Sequence, residues 1–187
     1  MVGIVGVLLA GGSSSRFGTN KLLHPLNDGT FMAVAAARRL QPACDMAIAV
    51  LRPGNDTLGQ LLKDEGFQIV VCDQSQFGMG HSLAAGVRST PDAAGWIVAL
   101  GDMPFITPDI HRRVAAALRG GASIAAPEMG GRRGHPVGFS KQWFDKLSAL
   151  TGDAGAGSLL SASPTEIFRC DVNDPAIFRD IDSLADL

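Results

Sequence analysis

Residues Val2–Ala10 (VGIVGVLLA) form an apolar run that passes without a break into Gly11–Gly18 (GGSSSRFG). This junction constrains the fold more than any other feature of the chain. A short run with no polar alternation is what a strand needs when both of its faces are covered, and parallel sheets provide that cover. A glycine-serine loop directly after such a strand can turn backbone N–H groups toward an anion. The rest of the chain repeats the theme. Strands are expected at Asp45–Leu51, Gln68–Cys72 and Gly95–Leu100. They alternate with helices over Thr30–Leu40, Asn55–Glu65, His81–Arg88 and Pro108–Arg119. Thr30 and Thr107 stand at N-cap positions, Pro108 at a first helical position, and Gly66 where a helix-ending glycine belongs. Further short strands are expected at Ser123–Ala126, Pro136–Phe139 and Glu166–Cys170, with a helix near Lys141–Leu150 and helical turns in the tail. Strands alternating with helices predict a three-layer α/β/α, Rossmann-like nucleotide-binding fold with a mostly parallel sheet. With 187 residues and no linker-like segment, the chain is expected to form one domain over 1–187.

Composition narrows the function. An apolar fraction of 46% with 18% charged residues places the chain among folded globular proteins. A net charge of −2 gives no general attraction for polyanions, so no nucleic-acid partner is expected and phosphate must be held by a local cluster of cations. Cys44, Cys72 and Cys170 are widely spaced with no CxxC pair. They are read as buried free thiols, which points to a reducing, cytoplasmic setting. Val2–Ala10 has no charged leader before it and is read as a buried strand. No apolar run reaches the roughly 20 residues of a membrane span.

In an open α/β sheet, ligands bind beyond the carboxyl ends of the strands. The segments Gly11–Lys21, Asp73–Ser82 and Gly101–Pro104 should therefore carry the chemistry. In the first, Arg16 offers a forked donor suited to phosphate oxygens and Lys21 a compact charge. Neither GxGxxG nor GxxxxGK[ST] is present. In the second, Gly78 and Gly80 permit close backbone approach and Ser82 can hydrogen-bond a ligand. In the third, Asp102 beside Gly101 is placed for Mg²⁺, which takes one or two carboxylates plus water and phosphate oxygens.

The order L-A-G-G-x3-R-x-G-x2-K-L-L over Leu9–Leu23 resembles the signature loop of the nucleotidyltransferases that make molybdenum cofactor dinucleotides, a MobA-like NTP transferase family. F-G-M-G-H-S-L at 77–83, L-G-D-M-P at 100–104, G-R-R-G-H-P-V at 131–137, G-D-A-G-A at 152–156 and the tail R-D-I-D-S-L-A-D-L at 179–187 resemble, in order, its further motifs. Gly157 stands where the cytidylyl branch commonly has Arg. The resemblance implies nucleotide binding by Leu9, Ala10, Gly11, Gly12, Ser13, Arg16, Lys21, Gly78, Gly80 and Ser82, with Arg16, Lys21 and Asp102 catalytic. It implies Mg²⁺ on Asp102 with Asp182, or second Asp180, and acceptor contacts from Arg133 and His135. The implied reaction moves CMP from CTP to the phosphate of molybdopterin, releasing pyrophosphate, with a molybdenum hydroxylase as eventual recipient. Three alternatives stay open: GTP as donor, a non-catalytic cofactor-delivery protein, and a nicotinamide-dependent reductase on the same fold.

Overall fold

The computed structural model describes residues 2–12, 20–153, 155–183 and 186. Eight strands form one sheet: β1 (Val2–Leu9), β2 (Met46–Leu51), β3 (Gln68–Val71), β4 (Ala93–Leu100), β5 (Ile124–Met129), β6 (Arg132–Arg133), β7 (Val137–Ser140) and β8 (Ile167–Asp171). Six α-helices are described: α1 (Met32–Leu40), α2 (Asp56–Asp64), α3 (Met79–Arg88), α4 (Pro108–Arg119), α5 (Phe144–Ser148) and α6 (Gly157–Ala162). The strand order is β3-β2-β1-β4-β7-β5, with β6 and β8 both pairing β5. β3, β2, β1 and β4 are parallel, as are β5 and β8, whereas β7 is antiparallel to both of its neighbours.

Alternating residues of the strands feed two apolar layers. Ile4 and Leu8 of β1 pack with α1, α2 and α4 through Met32, Leu40, Leu58, Leu62 and Val114. Val5, Val7 and Leu9 pack on the opposite face with Leu83 and Val87 of α3, Leu147 of α5 and Leu160 of α6. The result is the expected three layers. Trp96, fully buried in β4, satisfies its indole N–H by donating to Thr90 Oγ1 at 2.9 Å, as a buried indole must.

Several local expectations differ from what forms. Thr30 does not cap α1. Its carbonyl accepts Leu26 N–H (2.8 Å) and its N–H donates to Asp28 Oδ1 (2.9 Å), so it is consumed by the preceding turn. Phe31 takes the cap position without a side-chain bond. Thr107 does sit at the N-cap of α4, but its hydroxyl makes no cap bond. α3 begins at Met79, ahead of His81. The glycine-rich stretch that carries the motif at 131–137 turns at Gly130 and Gly131, both with positive φ (59° and 77°). It pairs Arg132 and Arg133 back against Met129 and Glu128, and two consecutive positive φ values define the tight hairpin turn that favours glycine. α6 has no counterpart in the sequence reading.

Candidate functional site

β1, β2, β3 and β4 all end at one edge of the sheet, and their following segments are stitched together there. Ala10 N–H donates to Val50 O (3.0 Å), Cys72 N–H to Leu51 O (2.8 Å) and Gly101 N–H to Leu9 O (3.0 Å). Beyond this edge opens a cleft of about 600 Å³. Leu9, Gly11, Gly12, Lys21, Gly78, Ser82, Leu100 and Asp102 line it, together with Arg52, Pro53, Asp73, Ser75, Gln76, Met79 and Asp153.

Lys21 opens a short 3₁₀ turn whose entry is capped by the Asn20 side chain, which accepts Leu22 N–H at 3.3 Å. This turn aims Lys21 inward. Its Nζ donates to Asp102 Oδ2 (2.9 Å), Ile181 O (3.0 Å) and Asp182 Oδ1 (3.1 Å). Burial pulls this ammonium down, but the hydrogen bonds and charges of Asp102 and then Asp182 outweigh it and hold its pKa above the ordinary value. The tail is fixed beside Asp102 by its backbone as well, since Ile181 N–H donates to Asp102 O at 3.0 Å. Asp182 and Ser183 N–H groups both bond Asp186 Oδ2 (3.1 and 2.7 Å), which closes the tail turn.

The opposite wall depends on close backbone packing. Gly80 N–H donates to Gly152 O at 2.8 Å. A Cβ at Gly80 would lie 2.6 Å from Thr151 O, and one at Gly78 (φ 125°) would lie 2.2 Å from Gly152 C. Glycine at both positions lets the 151–153 loop close on the start of α3 and present Asp153 to the cleft.

His135 lies outside the cleft lining. Its N–H donates to Ile177 O at 3.0 Å, while its buried Nδ1 has no hydrogen-bond partner among the described residues. Burial lowers the pKa of this imidazole and Arg133 adds to the effect, opposed by the nearby carboxylates Asp102 and Asp180. Arg133 itself is exposed on β6.

The model of the MobA-like NTP transferase domain family matches residues 6–167. The chain belongs to that family. Its relatives include the purine catabolism protein PucB of Bacillus subtilis, 32% identical over 85% of this chain and 81% of PucB. Nicotine blue oxidoreductase of Paenarthrobacter nicotinovorans is 29% identical over 97% of this chain and 93% of its own length. The crystal structure of Rv0371c from Mycobacterium tuberculosis superposes with a TM-score of 0.84 at 29% identity, covering 99% of this chain and 95% of that one. The same protein in complex with manganese superposes at 0.77 and 26% identity, covering 92% and 89%. The chain is thus a nucleotidyltransferase of the MobA-like type.

Of the nucleotide-binding residues expected in this MobA-like domain, Leu9, Gly11, Gly12, Lys21, Gly78 and Ser82 border the cleft, as does Asp102. Ala10 is buried behind it, and Gly80 is buried against the 151–153 loop. Ser13 and Arg16 lie outside the described residues. Asp182 joins Asp102 through Lys21, whereas Asp180 is exposed and acts on the His135 imidazole as a nearby negative charge. Asp73 and Asp153 entered the sequence reading only as members of longer segments, and Arg52 was not singled out. Arg52 directly follows β2, so the rule that ligands gather at strand carboxyl ends would have found it had it been applied to β2 as well.

Three cysteines are free; burial pushes the Cys44 thiol up to about 12, so it stays protonated at neutral pH. Among the described residues, no helix is long and apolar enough to cross a membrane.

Proposed function

We propose that this chain transfers CMP from CTP to the terminal phosphate of a molybdopterin-type cofactor, releasing pyrophosphate, with Mg²⁺ as the metal. The single observation that carries the reading is the convergence of Lys21, Asp102 and Asp182 at the mouth of a cleft whose far wall is the Gly78–Ser82 segment. The motifs surrounding these residues are those that resemble the cytidylyl branch.

The donor set suits a divalent cation. Among the described residues no three His, Cys, Asp or Glu side chains cluster, but Mg²⁺ needs only one or two carboxylates when phosphate oxygens complete its shell. Asp102 and Asp182, held within 3.1 Å of one point, provide two. A manganese complex of the relative Rv0371c supports a divalent metal in the family. When bound, the cation would neutralise charge on the α-phosphate and the incoming oxygen.

The chain's own residues do the rest by positioning and charge. Gly11 and Gly12 offer amides to the nucleotide, Ser82 a hydroxyl, and Lys21 with Arg16 takes the β- and γ-phosphates. A phosphate oxygen of the acceptor forms a bond to the α-phosphorus, and the bond from that phosphorus to the bridging oxygen breaks. The electron pair leaves with pyrophosphate, whose charge the cations stabilise. No general base is required, because the acceptor phosphate is already ionised near neutral pH. The sequence resemblance assigns Arg133 and His135 to the acceptor, although both lie outside the cleft lining and the Nδ1 of His135 is buried. A molybdenum hydroxylase would receive the product.

Pyrophosphate release is to be measured with each of the four NTPs, with and without the cofactor, in Mg²⁺. CTP-dependent release that requires the acceptor is the expected result, and Asp102→Asn should lower it on the order of 10²–10³-fold. Preference for GTP would move the chain to guanylyl transfer, and nucleotide binding without release to a delivery role. Undiminished turnover by Asp102→Asn would remove that residue from the site. The relative nicotine blue oxidoreductase favours testing one further reading: oxidation of NADPH by the purified protein, dependent on an added organic electron acceptor that is reduced in turn, would identify a reductase.

A further inference from the structure

One anionic oxygen from Asp102, one from Asp182 and the carbonyl of Ile181 surround a single point, and the Lys21 ammonium occupies it at 2.9, 3.1 and 3.0 Å. Carboxylate and carbonyl oxygens are also the ligands that hard divalent cations take, at about 2.1 Å for Mg²⁺. An ammonium and a dication cannot share that point, because both need the same oxygens and they repel each other. The Lys21 side chain is only 14% exposed, so the resident cation is seated inward. Its four-carbon stem nevertheless leaves it free to reorient.

We infer that Lys21 is a resident counter-ion that guards the carboxylate pair against a metal ion arriving alone. It yields the pair only when a nucleotide brings phosphate oxygens to receive its ammonium. The inference rests on the reading of Asp102 and Asp182 as metal ligands and assigns that site an order of events: metal and nucleoside triphosphate enter together. The exchange conserves favourable contacts, since Lys21 trades two carboxylates for phosphate oxygens. The backbone of the tail does not depend on the lysine for its place beside Asp102. The backbone bond from Ile181 N–H to Asp102 O keeps the tail in place when Lys21 withdraws.

The test is a titration of nucleotide-free protein with Mn²⁺ alone, followed by calorimetry or by loss of the free-ion electron spin resonance signal. Wild type is compared with Lys21→Gln, which keeps a donor on a side chain of similar length, and with Lys21→Met, which keeps only the stem. Circular dichroism checks that each folds. Both variants should bind Mn²⁺ roughly tenfold or more tightly than wild type, the order expected when a unit charge close to a partly exposed site is removed. Their affinity for metal-free CTP and GTP should fall. Wild type binding Mn²⁺ as tightly as both variants overturns the guarding role while leaving the carboxylates as ligands. A gain that persists in the double variant Lys21→Gln/Asp102→Asn overturns it too, because the added affinity then lies elsewhere. If no form binds Mn²⁺, even with nucleotide present, the metal reading itself fails and the inference goes with it.

Discussion

His111 gives α4 a pH-sensitive interior. It lies on the apolar face of the helix at 3% exposure, with Nδ1 against Thr107 O at 3.0 Å. A carbonyl only accepts, so Nδ1 carries the proton of a neutral ring. Burial lowers its pKa to about 4 despite that hydrogen bond, and Arg39 pushes the same way. The sign follows from linkage. Above about 6.5 the ring is neutral in both folded and unfolded chains and stability is at its full value. As pH falls below that point the unfolded chain takes up the proton first, so stability is lost until the folded protein titrates near about 4. At 1.36 kcal/mol per pH unit the ceiling is about 3 kcal/mol, and the loss between pH 7 and pH 5 is about 2 kcal/mol. Replacement by leucine removes the titration without stranding the carbonyl, because His111 N–H also donates to Thr107 O (3.4 Å). Urea unfolding at pH 7 and pH 5 should therefore show wild type losing about 2 kcal/mol more than His111→Leu. Equal losses in the two proteins would refute the assignment of a buried neutral ring.

Two further perturbations probe the cleft wall and the core. Gly80→Ala places a methyl group 2.6 Å from Thr151 O and should cost about 1–3 kcal/mol. It should also weaken nucleotide binding, as the loop bearing Asp153 is displaced. Gly157→Ala meets open space and should be neutral or gain up to about 1 kcal/mol, so equal melting temperatures for the two variants would contradict the packing described. Thr90→Val leaves the buried Trp96 N–H without its acceptor and should destabilise by about 1–3 kcal/mol in urea titrations. Thr90→Ser, which restores the hydroxyl, should recover most of that loss.

The central parallel strands β1 and β4 were legible because they are buried on both faces, and such burial writes itself as unbroken apolar runs at Val2–Ala10 and Gly95–Leu100. The antiparallel insertion of β7 was not. Val137–Ser140 has the same local pattern whichever way it runs, and its direction is set by partners distant in sequence, Trp96–Ile97 on one side and Ile124–Ala125 on the other. Thr30 misled because a residue that can cap a helix can equally close the turn before it. The hairpin at Gly130–Gly131 was not anticipated, for its flanks lack the alternation of an ordinary strand pair. In the site, Asp102 was conspicuous as a lone charge beside glycine at a strand end, and Lys21 as a compact charge at the end of the segment that follows the first strand. That both meet Asp182 was not visible from spacing, since the tail arrives there through a fold-wide return. Arg16 lies outside the described residues, so its placement beside this group stays a sequence expectation.

The return of the tail has a consequence for biogenesis. Lys21 reaches partners 160 and 161 positions away in the chain, beyond the 6–167 span of the family match. During synthesis Ile181 and Asp182 are translated after every strand of the described sheet. On the proposed reading of the site, catalytic competence is then acquired only after the sheet's strands have been made, instead of growing gradually with the nascent polypeptide. A chain clipped ahead of this segment would retain the strands of the sheet yet lack half of its paired carboxylates, so on the proposed reading of the site proteolytic damage there silences the molecule before it dismantles it.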